Sequence, residues 1–202
     1  MTMLQQAILA IDEGTSGTRA ALVRADGGVT TPAYAPLKVT TPRHGVVEQD
    51  ADALLETTLA MCRKVVAAAP AEGVEIVALA LTTQRATGVL WDTHTGRSLV
   101  PAMVWQDTRF CEELKALSPR WDKELIERAG RPIGARAIYL WAVRHMRDTP
   151  CVAEALNQKR LAFGTVDSWL LWHLSEARRV VTTPTNATSC GVETITAPSS
   201  GV

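Results

Sequence analysis

The 202-residue sequence predicts an α/β layered domain, with α+β as the alternative. Short apolar runs separated by turn residues precede Thr108, and apolar spacings of three and four residues dominate after it. Strands that come first and helices that come later indicate a sheet covered by helices rather than a helical bundle. The length fits one domain with a single core.

The first elements form an antiparallel meander. Residues 7–12 are an apolar run that ends on an acid, and residues 19–24 are a second run across a Gly/Thr/Ser loop. The turn signal Asp26-Gly27-Gly28 follows, and residues 29–39 are then interrupted by two prolines. Because proline cannot donate to a strand ladder, the third strand is predicted at an edge of the sheet.

A helix and a buried strand follow the meander. Asp50 or Asp52 can cap a helix that runs to about residue 69, because apolar residues recur there at helical spacing. Residues 74–83 are apolar nearly throughout, which predicts a central strand covered on both faces. Residues 88–92 and 99–105 predict a hairpin around His94-Thr95-Gly96.

The remaining pattern is helical. The predicted helices cover residues 108–117, 121–129, 137–147, 151–157 and 166–174. Residues 197–202 offer no core face, so a frayed end or a truncation point is expected there.

Composition excludes several classes of protein. The 21 basic and 21 acidic residues give a formal net charge of zero, so neither nucleic acid nor a membrane surface is an expected partner. No apolar run approaches the roughly 18 residues that span a bilayer, and the first residues lack a basic leader, so we expect a cytoplasmic protein. The four cysteines are widely spaced, which signals neither zinc nor redox chemistry. A homo-oligomer remains open.

The loop from Asp12 to Arg19 is the strongest functional candidate. A carboxylate at a strand end, followed by a small flexible loop, can position Mg²⁺ while backbone N–H groups and hydroxyls face a phosphate. Asp12 is the candidate metal position and Arg19 the candidate cation for a phosphoryl group in transfer. The candidate phosphate-binding residues between them are Gly14, Thr15, Ser16, Gly17 and Thr18. The alternative is a glycine-rich hairpin with a solvated arginine. Neither a Walker A pattern nor a G-x-G-x-x-G pattern is present.

Six stretches, taken in order, resemble the FGGY carbohydrate kinases of the actin-like ATPase superfamily, and among them the glycerol kinases most closely. The stretches are residues 11–19, 45–50, 83–85, 104–109, 163–170 and 185–188. The resemblance implies a ribonuclease-H-like domain, with a mixed sheet that opens on an antiparallel meander and carries flanking helices. It implies that residues 1–202 are an amino-terminal kinase domain, truncated and without the carboxy-terminal nucleotide domain.

The resemblance also implies an activity and a site. The parent enzyme would use ATP and Mg²⁺ to phosphorylate a hydroxyl of a small polyol or sugar, and this chain alone would be inactive because the motif with the general base is absent. Asp12, Thr15, Ser16, Gly17 and Arg19 would serve metal and phosphates. The implied acceptor contacts are Gln84 and Arg85, an apolar wall from Trp105, and Asp107.

Each acceptor residue has a structural alternative. Arg85 can be a surface charge, Trp105 a core aromatic and Asp107 the N-cap of the next helix, while residues 166–169 suit a buried helix start. Ala86 stands where glycerol kinases carry glutamate, which questions glycerol as the acceptor. A non-catalytic sugar- or polyol-binding module, or a degenerate kinase half, is therefore the rival function. An actin-like scaffold or chaperone ATPase would have no need of the acceptor motifs.

Overall fold

The computed structural model describes residues 4–134 and 138–190. The chain forms two compact units instead of the single core that its length predicts. Unit 1 combines residues 4–39 with Asp50–Gln84, and unit 2 combines Thr40–Gln49 with the described residues from 85 onward. Two predictions fall outside the described residues: the tail at 197–202, and the first residue of the helix expected at 137–147.

The strands and helices of the described residues are named here in chain order. They are β1 (Gln5–Glu13), β2 (Gly17–Arg24), β3 (Val29–Pro36), β4 (Glu48–Gln49), α1 (Ala51–Ala68), β5 (Val74–Thr83), β6 (Gly88–Asp92), β7 (Arg97–Ser98), β8 (Ala102–Met103), α2 (Cys111–Ala129), α3 (Ile138–Asp148), α4 (Pro150–Asn157), β9 (Leu161–Thr165), α5 (Val166–Leu174) and α6 (Pro184–Cys190).

Unit 1 is a four-stranded mixed sheet with one helix on it. The strand order is β3-β2-β1-β5, in which β1, β2 and β3 form the predicted antiparallel meander and β5 runs parallel to β1. Helix α1 packs against β1, β2 and β3. Its N-cap is Asp50, whose side chain accepts a hydrogen bond from the N–H of Ala53, as one of the two predicted caps.

The prediction for β5 is wrong in its placement. The strand spans the predicted residues, but it lies at an end of the described sheet, and Val77 and Leu79 are 50% and 43% exposed. Its apolar composition predicts burial on both faces, whereas α1 covers the neighbouring strands instead. A strand's composition thus reports what it can bury and not which neighbours cover it.

Unit 2 is built around β6, all five residues of which are buried. Strand β6 pairs with β7, β8 and β9, and β8 also pairs with β4. The predicted hairpin is confirmed at its turn, but its second arm is split into the short strands β7 and β8. Trp91 of β6 meets Trp169 edge to face, with ring centroids 5.5 Å apart, which anchors α5 to the sheet.

The helical half differs from prediction in three places. Helices predicted at 108–117 and 121–129 are one helix, α2, which contains Pro119; a proline in a helix can kink it without ending it. Strand β9 and helix α6 were not predicted. Helices α4 and α5 lie where expected, and the described part of α3 does too. Within residues 4–134 and 138–190, no helix combines the length and the apolarity that crossing a membrane requires.

Candidate active site

The predicted phosphate loop is a tight turn between β1 and β2. The N–H of Gly14 donates to the carbonyl oxygen of Gly17 at 3.0 Å, which closes the turn. A Cβ added to Gly14 would lie 3.2 Å from that same oxygen, so the turn has little room for a side chain there. The carbonyl oxygen of Ser16 accepts the N–H of Leu37 at 3.0 Å, which ties the loop to the end of β3.

Asp12 and Arg19 lie directly opposite each other on β1 and β2. Arg19 Nη1 is 3.3 Å from Asp12 Oδ2, and the two side chains are 62% and 51% exposed. Arg19 in turn pairs with Tyr34 on β3, and its guanidinium carbon is 5.1 Å from the centre of the tyrosine ring. The exposed ion pair and the exposed cation–π contact are each worth up to about 1 kcal/mol, so neither one alone fixes Arg19.

Tyr34 also packs on Gly17. A Cβ built at Gly17 would lie 2.4 Å from Tyr34 Cε2 and 2.8 Å from the carbonyl oxygen of Ala35. Glycine is therefore required at position 17 by close approach and not by an unusual backbone angle. The Tyr34 hydroxyl lies 3.5 Å from the carbonyl oxygen of Ser16, at the outer limit of a hydrogen bond.

Gln84 anchors the loop from the far end of β5. Its side-chain oxygen accepts a hydrogen bond from the Thr15 hydroxyl at 3.1 Å. Its main-chain N–H donates to the main-chain carbonyl oxygen of Glu13 at 2.7 Å. Gln84 is 9% exposed. The structure thus brings Gln84, predicted as an acceptor contact, next to the phosphate loop in unit 1.

Glu13 is a buried carboxyl group directly behind the loop. Its side chain is inaccessible to solvent, and it accepts the hydroxyls of Thr18 and Thr58 at 2.8 and 2.6 Å. Burial raises the pKa of Glu13 to about 7 against the lowering effect of these two hydrogen bonds, and the nearby charge of Asp12 adds to the rise. Since Thr18 is itself fully buried, its hydroxyl serves Glu13 and faces no ligand.

The donor set at the loop suits Mg²⁺ bound together with phosphate. Among residues 4–134 and 138–190, no group of three or more His, Cys, Asp or Glu side chains could enclose a metal ion. Asp12 offers one exposed carboxylate at the mouth of the loop. Mg²⁺ is commonly held by one or two carboxylates, with phosphate oxygens and waters as the other ligands, and that arrangement fits Asp12.

Unit 2 holds three predicted acceptor residues. Arg85 is exposed and forms no hydrogen bond or ion pair with another residue in the described part of the chain. Trp105 is half-buried against the apolar cluster of unit 2. Its main-chain N–H donates to the Thr87 hydroxyl at 3.2 Å. This bond brings Trp105 alongside the segment that begins with Arg85. Trp105 is therefore partly a core aromatic.

Ala86 belongs to the same apolar cluster. It is 2% exposed, and its φ of +57° lies in the left-handed region that favours glycine. Buried members of the cluster include Leu90, Met103 and Trp141. Position 86 is consequently a core position here, where burial of a carboxylate would be costly unless it were hydrogen-bonded.

The carboxylate of Asp107 is fully engaged by the protein. It accepts the N–H of Val47 at 2.7 Å and several bonds from Arg109, the shortest also 2.7 Å, and its side chain is inaccessible. Arg109 extends the network to Glu48 at 2.8 Å. The N-cap alternative for Asp107 is wrong, because α2 begins at Cys111 after Phe110. Asp107 ties together the segments that carry Val47 and Arg109.

The start of α5 is buried, in line with the structural alternative. Val166, Asp167, Ser168 and Trp169 are all buried. Asp167 accepts hydrogen bonds from the hydroxyls of Thr165 and Thr182, the latter at 2.8 Å. It therefore holds the segment before α6 against α5.

Three residues at the loop were missed by sequence reasoning. Glu13, Thr58 and Tyr34 make its closest supporting contacts, yet none was given a role. The alternation along β1 could have identified Glu13. It lies on the same buried face of the strand as Ala7, Leu9 and Ile11, so its burial was predictable. The other two depend on pairings between separate elements.

Comparison with known proteins agrees with this architecture. The glycerol kinase of Paraburkholderia phytofirmans is 37% identical over 191 residues, which are 92% of this chain and 37% of that protein. The glycerol kinase of Alcanivorax borkumensis is 36% identical over 184 residues, 89% of this chain and 36% of its own length. The chain thus spans little more than a third of these relatives.

Solved structures show the same fold. The glycerol kinase of Plasmodium falciparum, solved with ADP, superposes with a TM-score of 0.85 at 19% identity, over 95% of this chain and 38% of that one. The xylulose kinase of Rhodospirillum rubrum superposes with a TM-score of 0.81 at 20% identity, over 94% of this chain and 38% of that one. Residues 7–197 match the N-terminal domain of the FGGY family of carbohydrate kinases. The chain therefore belongs to the FGGY family and has its actin-like ATPase fold.

Proposed function

We propose that this chain supplies the phosphate loop of a kinase that transfers the γ-phosphoryl group of ATP to a hydroxyl of a polyol or sugar. The observation that carries the proposal is the exposed pair Asp12 and Arg19 at the mouth of a closed glycine turn. A carboxylate for a metal and a cation for phosphate oxygens are the two charges that phosphoryl transfer needs. By itself the chain is proposed to be inactive.

The residues of the loop divide the work of binding. Mg²⁺, when bound, neutralises negative charge on the phosphoryl oxygens. Asp12 holds that cation, Arg19 turns towards the phosphate, and the exposed Ser16 hydroxyl donates to it. The Thr15 hydroxyl, which donates to Gln84 in this structure, exchanges that partner for a phosphate oxygen. Because the Gly14 N–H closes the turn on Gly17, the main-chain N–H groups proposed to face the phosphate are those between these two glycines.

The acceptor contacts are proposed to come from unit 2. The Arg85 guanidinium group, which has no partner among the residues that the structure describes, can donate to hydroxyls, and Trp105 offers an apolar wall to the carbon skeleton. Asp107 is proposed to stabilise the neighbouring segments and not to contact the acceptor, because the protein already occupies its oxygens. Since Ala86 lies in the apolar core, we expect an acceptor other than glycerol.

Calorimetry of the 202-residue chain tests the proposal. We expect ADP to bind the unaltered chain only in the presence of Mg²⁺. In Asp12→Asn this Mg²⁺-dependent binding should be lost. Glu75→Gln, which removes an exposed carboxylate on β5, is the matched control and should bind as the unaltered chain does. No nucleotide heat in any sample, or equal heat with and without Mg²⁺, would overturn the proposal.

A non-catalytic sugar- or polyol-binding module is the second candidate. The observation that favours it is the contrast between Arg85, which is exposed and has no partner within the described ranges, and Ala86, which is buried and offers no carboxylate to an acceptor. Titration with a panel of sugars and polyols separates the two candidates. Acceptor heat that is lost in Arg85→Gln, with no nucleotide heat, supports the module.

A further inference from the structure

We propose that Tyr34 is a positioning residue of the phosphate loop, whose ring draws the Arg19 guanidinium aside and so leaves the Asp12 carboxylate accessible to a divalent cation. The inference rests on the proposed function, in which Asp12 is the metal ligand. Tyr34 contacts neither metal nor phosphate in this arrangement and acts through Arg19.

The register of the sheet places the three residues in one row. Asp12 pairs with Arg19 across β1 and β2, and Arg19 pairs with Tyr34 across β2 and β3. Directly opposed side chains share one face of a sheet, so the guanidinium lies between a carboxylate on one side and an aromatic ring on the other. Asp12 and Tyr34 are the only partners of Arg19 among the described residues.

The contact between Arg19 and Asp12 is weak for an ion pair. A single nitrogen approaches a single oxygen, at 3.3 Å, whereas a strong arginine–carboxylate pair is bidentate and shorter. The same guanidinium carbon lies 5.1 Å from the ring centre of Tyr34, within the range of a cation–π contact. The two attractions are of similar strength at exposed positions, so loss of one shifts Arg19 towards the other.

The ring of Tyr34 is itself held in place. It packs on Gly17, where no side chain could fit beneath it, and its hydroxyl reaches towards the carbonyl oxygen of Ser16. The loop therefore fixes the position of the Tyr34 ring, and the ring orients the Arg19 guanidinium group. If the ring is removed, Asp12 is the one partner that the described part of the chain leaves to the Arg19 guanidinium, and an incoming metal ion must compete with Arg19 for that carboxylate.

Two substitutions separate the ring from its hydroxyl. Tyr34→Leu removes the aromatic face, and Tyr34→Phe keeps it. In ¹H–¹⁵N spectra we expect the Arg19 Nε–Hε resonance to carry an upfield ring-current shift in the unaltered chain and in Tyr34→Phe, and to lose it in Tyr34→Leu. Val29→Ala, at a position of β3 that is 60% exposed, is the control and should leave the shift unchanged.

Metal affinity is then measured with Mn²⁺, through broadening of the Gly14 amide resonance. Tyr34→Leu should weaken Mn²⁺ binding about threefold to fivefold, the equivalent of one exposed cation–π contact. Tyr34→Phe should bind within about twofold of the unaltered chain, as expected when the aromatic face is retained. Arg19→Gln should strengthen binding, because it removes the competitor for Asp12.

The double variant decides whether Tyr34 acts through Arg19. Adding Tyr34→Leu to Arg19→Gln should have no further effect on Mn²⁺ binding. An equal loss in both backgrounds would mean that Tyr34 merely supports the loop, and it would overturn the proposal. If no variant binds Mn²⁺ either alone or with pyrophosphate present to supply phosphate oxygens, Asp12 is not a metal ligand and the proposed function fails. The ring-current shift then still decides the position of Arg19, since an unchanged spectrum in Tyr34→Leu overturns the positioning role and a lost shift supports it.

Discussion

The hydroxyl of Thr58 lies 2.6 Å from the carboxyl group of Glu13, in the interior of unit 1 behind the phosphate loop. The same hydroxyl is 2.9 Å from the carbonyl oxygen of Leu54. A hydroxyl has one proton, and it cannot donate to both oxygens. While Glu13 is ionised, Thr58 can donate to it only by giving up Leu54. Once Glu13 is protonated, its own O–H can donate to Thr58, and Thr58 can donate to Leu54, which agrees with the raised pKa of Glu13.

Replacement of Glu13 by glutamine should flatten the dependence of stability on pH. The folded pKa of about 7 exceeds the ordinary 4.5, so the folded state binds the proton more tightly than the unfolded chain does. The resulting stabilisation is complete below pH 4.5 and is lost as the pH rises through 7. The free energy of unfolding should fall by up to about 3 kcal/mol over that window.

Urea unfolding from pH 4.5 to 8 measures this change. Glu13→Gln keeps a donor for Thr58 without a titrating group, and it should be more stable than the unaltered chain at pH 8. Glu75→Gln, in the same unit and exposed, should retain the full pH dependence. A pH dependence that survives in Glu13→Gln would contradict the assignment.

Gly17→Ala should destabilise unit 1. The new methyl group would meet both the Tyr34 ring and the carbonyl oxygen of Ala35, and the backbone atom cannot move aside. Overpacking of this kind costs about 1 to 3 kcal/mol, measured by urea unfolding. The control is Gly28→Ala, whose methyl group would lie 3.0 Å from the Asp26 carboxylate, a side-chain end that can shift more easily than a backbone atom, so this substitution should cost clearly less. Equal effects at the two glycines would contradict the clash.

Arg109→Met should destabilise unit 2. It leaves the carboxylate of Asp107 buried without its cation and also frees Glu48. Breaking a buried pair in this way costs about 3 to 5 kcal/mol in unfolding free energy. Lys115→Met removes an exposed pair with Glu112 on α2 and should cause no measurable change in the same urea titration. Similar effects of the two substitutions would show that the Arg109 network is solvated.

Asp167→Ala should loosen the segment before α6. It removes the acceptor for Thr182, so the neighbouring Arg178 and Arg179 become better trypsin sites. We expect roughly tenfold faster cleavage there, equivalent to the loss of a hydrogen bond to a buried charge. Mass spectrometry of timed digests locates the cut. Glu154→Ala, at an exposed site on α4, should cleave as the unaltered chain does.

Local sequence signals predicted the meander and α1 well. The turn at Asp26-Gly27-Gly28 and the helix cap at Asp50 depend on interactions between residues that are close in sequence. Both can therefore be predicted without knowledge of a distant partner. The turn between β1 and β2 was located for the same reason, since its glycines and charges are contiguous in the sequence, and its role in phosphate binding stays a prediction.

The supporting contacts could not be read in this way. Thr58 meets Glu13 across 45 residues, and Tyr34 meets Arg19 through strand register. The engagement of Asp107 likewise depends on Val47, which a different part of the chain supplies. Residue types suggest what a side chain can do, whereas these pairings decide which of its atoms are already occupied.

The parallel pairing of β1 with β5 also sets an order of events in folding. Partners in the β1–β2 hairpin are as close in sequence as Glu13 and Thr18, whereas Gln5 pairs with Val74 only after α1 has been traversed. Bringing β5 to β1 closes a longer loop of chain than the hairpin does, and this costs more conformational entropy before any stabilising contact forms. The amide groups of β5 should therefore gain protection from hydrogen exchange after those of the hairpin, so Gln84, which follows β5, reaches Thr15 only late in folding.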